Sequence, residues 1–278
     1  MLRLDELNLT YLNLQNAWPD KWPGLPFIYR QCVTQLGWDH ALISASPDTN
    51  SLYACSKDLS LFIEKNGSAQ FANNQEPAYH SRLHIADTIV GLTALLLAQR
   101  SFNELDLRKQ LHLEMTAMVA MLGHDLLHDG SVNTYPEELE RKSIDFLRPY
   151  LNEHGIAKRD IKIIDQLILM TDPMSVPEHH QHARQSIFDV KNVDCLGLLV
   201  QEADILASCV KGIAKVRTML LAKEWRHQYP SRSSHLLTPE GRLKFLTSFA
   251  QFSSPASRIL DIQGMIQKEI KSLQDKVC

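Results

Sequence analysis

From Tyr79 onward apolar residues recur at spacings of three and four, which predicts helices over residues 79–99, 104–127, 136–153, 158–171, 192–211, 213–228, 238–251 and 255–275. The chain is therefore expected to be all-α, a multi-helix bundle. Local signals mark several ends: Gly155 follows the third helix, and Thr238-Pro239 and Ser254-Pro255 each set a capping hydroxyl before a proline suited to a first helical turn. Residues 117–122 and 198–200 are apolar on every side, so the helices that carry them belong in the interior.

Residues 1–76 interrupt this pattern. Trp18-Pro19, Trp22-Pro23, Leu25-Pro26 and Ser46-Pro47 break it repeatedly, and Asn66-Gly67 predicts a hairpin turn between short strands at 59–63 and 69–72. One short helix is expected from Pro26 to Leu36, ending near Gly37. The chain thus divides into a less regular cap or appended segment over 1–76 and a helical domain over 77–278, in which residues 173–185 form an irregular, histidine-rich connection.

Composition narrows the partners. With 278 residues and 44% hydrophobic content the chain can bury a large core. A net charge of -3, from 29 basic and 32 acidic residues with no long Lys or Arg run, argues against polymeric nucleic acid. The apolar run at 93–98 is far shorter than the ~20 residues of a membrane helix, so no membrane partner is expected. Residues 1–16 lack the basic start and apolar core of a signal peptide. The cysteines, Cys32, Cys55, Cys195, Cys209 and Cys278, are scattered and never form Cys-x-x-Cys, which points to reduced thiols and a cytoplasmic location.

The chemistry concentrates between Tyr79 and Asn133. On a helix, His80, His84 and Asp87 share one face. The apolar stretch at 117–122 runs directly into Gly123-His124-Asp125, and an imidazole beside a carboxylate at the end of a buried helix needs a cation or a complete hydrogen-bond network. The Asp125 carboxylate has two oxygens and can bridge two ions, while a neutral imidazole binds one. His128 falls one turn after His124. A further carboxylate is needed to balance two divalent ions, and the buried helix around Glu202-Ala203-Asp204 supplies it, with Asp204 the stronger candidate and Glu202 the runner-up.

The order His, His-Asp, Asp resembles the HD superfamily of metal-dependent phosphohydrolases. The finer pattern, Tyr79-His80 with His84-Ile85-Ala86-Asp87, His124-Asp125-x-x-His128-x-Gly130-x-x-Asn133, Leu139-Glu140, Thr171-Asp172 and Ala203-Asp204, resembles the class I 3',5'-cyclic nucleotide phosphodiesterase catalytic domain over roughly residues 77–252. The resemblance implies that His84, His124, Asp125 and Asp204 hold two divalent ions, zinc with magnesium or manganese. Iron or manganese is the other option. It implies that His80 is the general acid, that His128 orders the water network, and that Asp87, Asn133, Glu140 and Asp172 support the ligands from behind. The family's base-binding glutamine and phenylalanine have their nearest counterparts in Gln251 and Phe252. Two departures avoid the ligands: His128-Asp129-Gly130 stands where His-Pro-Gly is usual, and Arg141-Lys142 where paired histidines are usual. The expected substrate is a small nucleotide, cAMP or cGMP.

Three rivals stay open. Another HD-type nucleotide phosphohydrolase is one, although the cyclic-dinucleotide signature His-Asp-x-Gly-Lys is absent, Leu127-His128 standing in its place. A di-iron oxygenase is the second and would draw further ligands from His154, His179, His180 or His182. A non-catalytic sensor is the third, and has no physical need for all of His80, His84, His124, Asp125 and Asp204. The apolar stripe Ile262, Met265, Ile266, Ile270 and Leu273 suits packing on its own domain or a homodimer.

Overall fold

The computed structural model describes residues 3–102, 106–185 and 187–277. These form α1 (Leu4–Ala17), α2 (Leu25–Gln35), α3 (His40–Ser44), α4 (Pro47–Ala72), α5 (Arg82–Gln99), α6 (Leu107–Gly123), α7 (Glu138–Glu153) and α8 (Lys158–Leu169). The chain continues through α9 (Val176–Ala183), α10 (Val193–Cys209), α11 (Ala214–Trp225), α12 (Pro230–Leu236), α13 (Pro239–Lys244), a π-helical turn (Phe245–Phe249), α14 (Pro255–Ile259) and α15 (Ile262–Val277). No strand occurs among the described residues, and the chain is all-α as expected.

Helix α5 is the axis of the molecule. Every residue from Arg82 to Leu96 is buried, because α10, α2, α14, α6 and α1 pack around it. Its tightest neighbour is α10, and Gly91 explains the approach: a Cβ there would lie 2.8 Å from the Tyr11 hydroxyl and 3.2 Å from the Ala203 carbonyl oxygen. The caps read from the sequence form, with the Thr238 hydroxyl accepting from the Gly241 amide and the Ser254 hydroxyl from the Ser257 amide, both at 3.0 Å. No helix among the described residues is long and apolar enough to cross a membrane.

Four expectations need correction. The hairpin at Asn66-Gly67 does not exist: α4 runs through it, burying Leu52, Cys55, Ser56, Leu59, Ser60 and Gly67 at helical spacing. Four of these six are Cys, Ser or Gly, so the stripe did not register as apolar. The turn-rich reading of residues 1–76 gives way to four helices, whose Leu7, Tyr11, Leu25, Leu52 and Leu59 are fully buried in the same core as α5, α6 and α10. The connection at 173–185 contains α9. Two expected long helices are shorter or broken: α5 begins at Arg82 rather than at residue 79, and a turn at Asp261, with φ of 50°, separates α14 from α15. The expected start of α6 at 104 lies outside the described residues, which resume at Asp106. The apolar stripe of α15 packs inward, Ile262 and Ile266 lying fully buried in the chain's own core.

Candidate metal centre

Three helix ends or turns bring the histidines and aspartates together. Ser81 is the N-cap of α5, which puts His84 in its first turn. His124 is the C-cap of α6, and Asp125 follows in the turn. Asp204 projects from the middle of α10.

His84 Nε2 lies 3.2 Å from Asp125 Oδ2 and 3.2 Å from Asp204 Oδ1, and His124 Nε2 lies 3.3 Å from each of the same two oxygens. Four donor atoms around a tetrahedral ion with bonds of ~2.0–2.1 Å sit about 3.3 Å apart, so this spacing fits a cation at their centre. The His124 tautomer points the same way. Its Nδ1–H donates to the Met121 carbonyl at 2.7 Å, which leaves the buried Nε2, facing two carboxylates, as the atom that takes either a proton or a cation.

Without a cation the same atoms compete for protons. Burial disfavours the His84 imidazolium, but its hydrogen bonds to the Asp125 and Asp204 carboxylates outweigh it and push the ring up to about 9. His124 is buried too, and the charges of Asp125 and Asp204 still raise it well above the usual imidazole range. Burial alone would raise both aspartates, yet His124 holds Asp125 well below the carboxylate range and lowers Asp204 as well. Imidazoles and carboxylates packed this closely share protons, and a cation entering the group would displace them.

His80 lies outside this square of atoms. It precedes α5, so the expected shared helical face with His84 is replaced by a turn. Its Nδ1 is 2.5 Å from Glu224 Oε1, and Glu224 also accepts the amides of Tyr79 at 2.7 Å and His80 at 3.0 Å. Burial would raise Glu224, but its hydrogen bond to His80 lowers it below the usual carboxylate range. With Nδ1 turned to Glu224, His80 Nε2 faces Asp125, 4.0 Å from Oδ2. The ring stacks on His128, centroids 3.7 Å apart. His128 is likewise off the helix, in the turn after α6. Its Nδ1 accepts the Gly130 amide at 2.9 Å, and burial followed by the charge of His80 pushes it down to about 4, so its Nε2 carries the proton of a neutral ring. The donor atoms of His80, Asp125 and His128 form a second cluster within 4.8 Å, sharing Asp125 with the first set of contacts.

Behind these residues lies a layer of hydrogen bonds. Asn133 Nδ2 donates to Glu140 Oε2 at 2.9 Å and to Asp172 Oδ1 at 3.3 Å, while Asn133 Oδ1 accepts the Leu139 amide at 2.8 Å. Asp172 also accepts the amides of Glu137 and Met174, each at 3.0 Å. Burial pushes Glu140 up to about 7. Asp87, by contrast, is buried against Arg217 of α11, which donates to it from Nε and to Gln15 of α1 from Nη1.

The remaining candidates serve other contacts. Glu202, two residues from Asp204, points away and accepts the amides of Ser253 at 2.7 Å and Ser254 at 2.8 Å, anchoring the start of α14. Gln251 accepts from Arg184 at 2.7 Å and donates to the Thr247 carbonyl at 3.2 Å, and Phe252 is core. His154 pairs with Asp58 at 3.0 Å, His179 with Gln201 at 2.8 Å and His180 with Ser253 at 2.7 Å. His180 is fully buried. Sequence reasoning missed Glu224. In Lys223-Glu224-Trp225 it has the look of a solvated helical acid, and no local signal sets it apart. No protein-family model and no curated protein matches the chain.

Proposed function

We propose that the chain is a metal-dependent phosphodiesterase that hydrolyses a 3',5'-cyclic nucleotide, cAMP or cGMP, to the 5'-monophosphate. The observation that carries this reading is a division of labour among imidazoles. His84 and His124 offer Nε2 atoms to a point shared with Asp125 and Asp204, while His80 is tied to a carboxylate of its own and faces the same aspartate from outside.

In this reading His84, His124, Asp125 and Asp204 hold one divalent ion, and Asp125 with the His80–His128 side borders the place of a second. Bound there, zinc with magnesium or manganese lowers the pKa of a coordinated water toward ~7 and neutralises charge on the phosphoryl oxygens. The chain's own residues supply the proton. Glu224 accepts from His80 Nδ1 and fixes the ring, so Nε2 is the atom that delivers a proton to the departing ribose O3'. His128 stacks on that ring and limits its rotation, with its neutral Nε2–H free to donate to substrate or water. Asn133, Glu140 and Asp172 keep the loop after α6 in register with α7. A di-iron oxygenase would call on His154, His179, His180 or His182, and none of these joins the two donor clusters among the described residues.

The test is an assay of purified protein, supplied with Mn, Mg or Zn, against cAMP, cGMP, cyclic dinucleotides and nucleoside monophosphates. Turnover of the cyclic mononucleotides to 5'-monophosphates is expected. Turnover of monophosphates alone would replace this reading with another nucleotide phosphohydrolase.

A further inference from the structure

His80, Asp125 and His128 open onto a shallow cleft. The opposite wall is α4, which presents Phe62, Ile63, Asn66, Gly67 and Gln70 to it. Asn66 and Gln70 are one helical turn apart and so share a face, and both are half-buried. Their neighbours on α4 are committed: Glu64 accepts from Trp22, Leu25 and Arg82, and Ser68 accepts from Arg82. Neither Asn66 nor Gln70 has a side-chain hydrogen bond among the described residues, so two carboxamides face the cleft unspent.

Resting on the phosphodiesterase reading, we infer that Asn66 and Gln70 form the nucleobase-recognition edge of this cleft, with Phe62 and Ile63 of α4 and Leu126 and Leu127 after α6 as its apolar lining. A carboxamide sets a donor beside an acceptor, the arrangement that matches the hydrogen-bonding edge of a base. A flat heterocycle gains most from being held between apolar side chains with a few polar groups at its rim. The phosphoryl group belongs at the histidine–aspartate end, which leaves the α4 end for the base. Gln251 and Phe252 are poorer candidates, one bound to Arg184 and Thr247, the other enclosed in the core. Base selection thereby falls to the first 76 residues, outside the stretch that carries the metal motifs.

The experiment is calorimetric titration of the Mn-loaded full chain with 5'-AMP, 5'-GMP and ribose 5-phosphate, which shares the sugar and phosphate but has no base. The wild type should prefer a nucleotide over ribose 5-phosphate. The Asn66→Leu/Gln70→Leu variant should lose that preference by about five- to tenfold for each amide removed. Should this variant not fold, Asn66→Asp/Gln70→Glu keeps the shapes while removing the donors, and the same direction is expected. A preference that survives both variants overturns the inference, and so does its loss in Gln251→Ala, which would return base recognition to the loop before α14. If the wild type hydrolyses cyclic nucleotides while Asn66 and Gln70 prove indifferent, only this inference fails. If it binds no nucleotide and hydrolyses no phosphodiester, the phosphodiesterase reading fails first.

Discussion

The two nitrogens of His124 have opposite surroundings, a carbonyl at 2.7 Å from Nδ1 and two carboxylate oxygens at 3.3 Å from Nε2. In the metal-free protein a proton fills that gap, and a cation must displace it. For His84, whose folded value is about 9 against an ordinary 6.5, the sign is fixed: its stabilisation is fully present below the ordinary value and is lost as pH rises through about 9. Thermal melts in EDTA should therefore show stability falling from pH 6.5 to 9, and added Zn or Mn should abolish the decline. Titration with metal at pH 7 in buffers of different ionisation enthalpy should register the release of about one to two protons per ion. A metal-independent pH profile would count against the site. Substitutions should separate ligand from acid. Asp125→Ala should lose both metal and turnover, whereas His80→Ala should keep its metal by elemental analysis and lose about 10²- to 10⁴-fold in kcat. Glu224→Gln, which acts only through His80, should cost about 10- to 100-fold in kcat at unchanged metal content and shift the acidic or basic limb of the pH profile. Metal loss in His80→Ala would reverse the division between acid and ligand.

At the scale of elements, the start of α5 is held by a single guanidinium. Arg82 lies between His80 and His84 in the chain, donates to both Glu76 oxygens at 2.9 Å and to Glu64 at 2.5 Å, and stands 5.0 Å over the Trp18 ring. Its aliphatic stem crosses α4 at Gly67, where a Cβ would fall 2.6 Å from Arg82 Cγ and 2.7 Å from Cδ. An alanine in place of a mid-helix glycine ordinarily gains ~1 kcal/mol. Here the clamped arginine cannot step aside, and Gly67→Ala should instead destabilise by about 1–3 kcal/mol, as overpacking does. Thermal unfolding of the variant decides it, since a raised Tm would mean that Arg82 moves freely. This contact also accounts for the misread hairpin. Asn66-Gly67 has the composition of a turn, but its glycine answers a crossing of two helices that residues 59–72 by themselves do not reveal.

Over the whole molecule, the helices before residue 76 share one core with the helices that carry the metal donors. Leu7, Tyr11, Leu25, Leu52 and Leu59 are fully buried beside Leu83, Leu92 and Met115. Stripping them from the chain would expose the faces of α5 and α6 that they cover, a loss of roughly 1.5–3 kcal/mol for each large apolar side chain left in water. A fragment of residues 77–278 should accordingly show no cooperative melt by circular dichroism. A sharp transition would make residues 1–76 a dispensable cap. The four described cysteines are all buried and free, consistent with packing rather than cross-linking as their use.

Helical period, the proline-led caps and the buried runs at α6 and α10 are local properties, and the sequence by itself determined from them an all-α chain and the burial of the helices that lead into His124-Asp125 and carry Asp204. It also determined which side chains were chemically unusual, because an imidazole and a carboxylate at the end of an apolar helix conflict with burial wherever the helix lies. Tertiary structure alone decided what those side chains face. Glu224 meets His80 across 144 positions of chain. Asp204, rather than Glu202, turns toward His84 because residues two apart on a helix point in nearly opposite directions. The partnership of α4 with the cleft, and with it Asn66 and Gln70, rests on non-local packing that no sequence window contains.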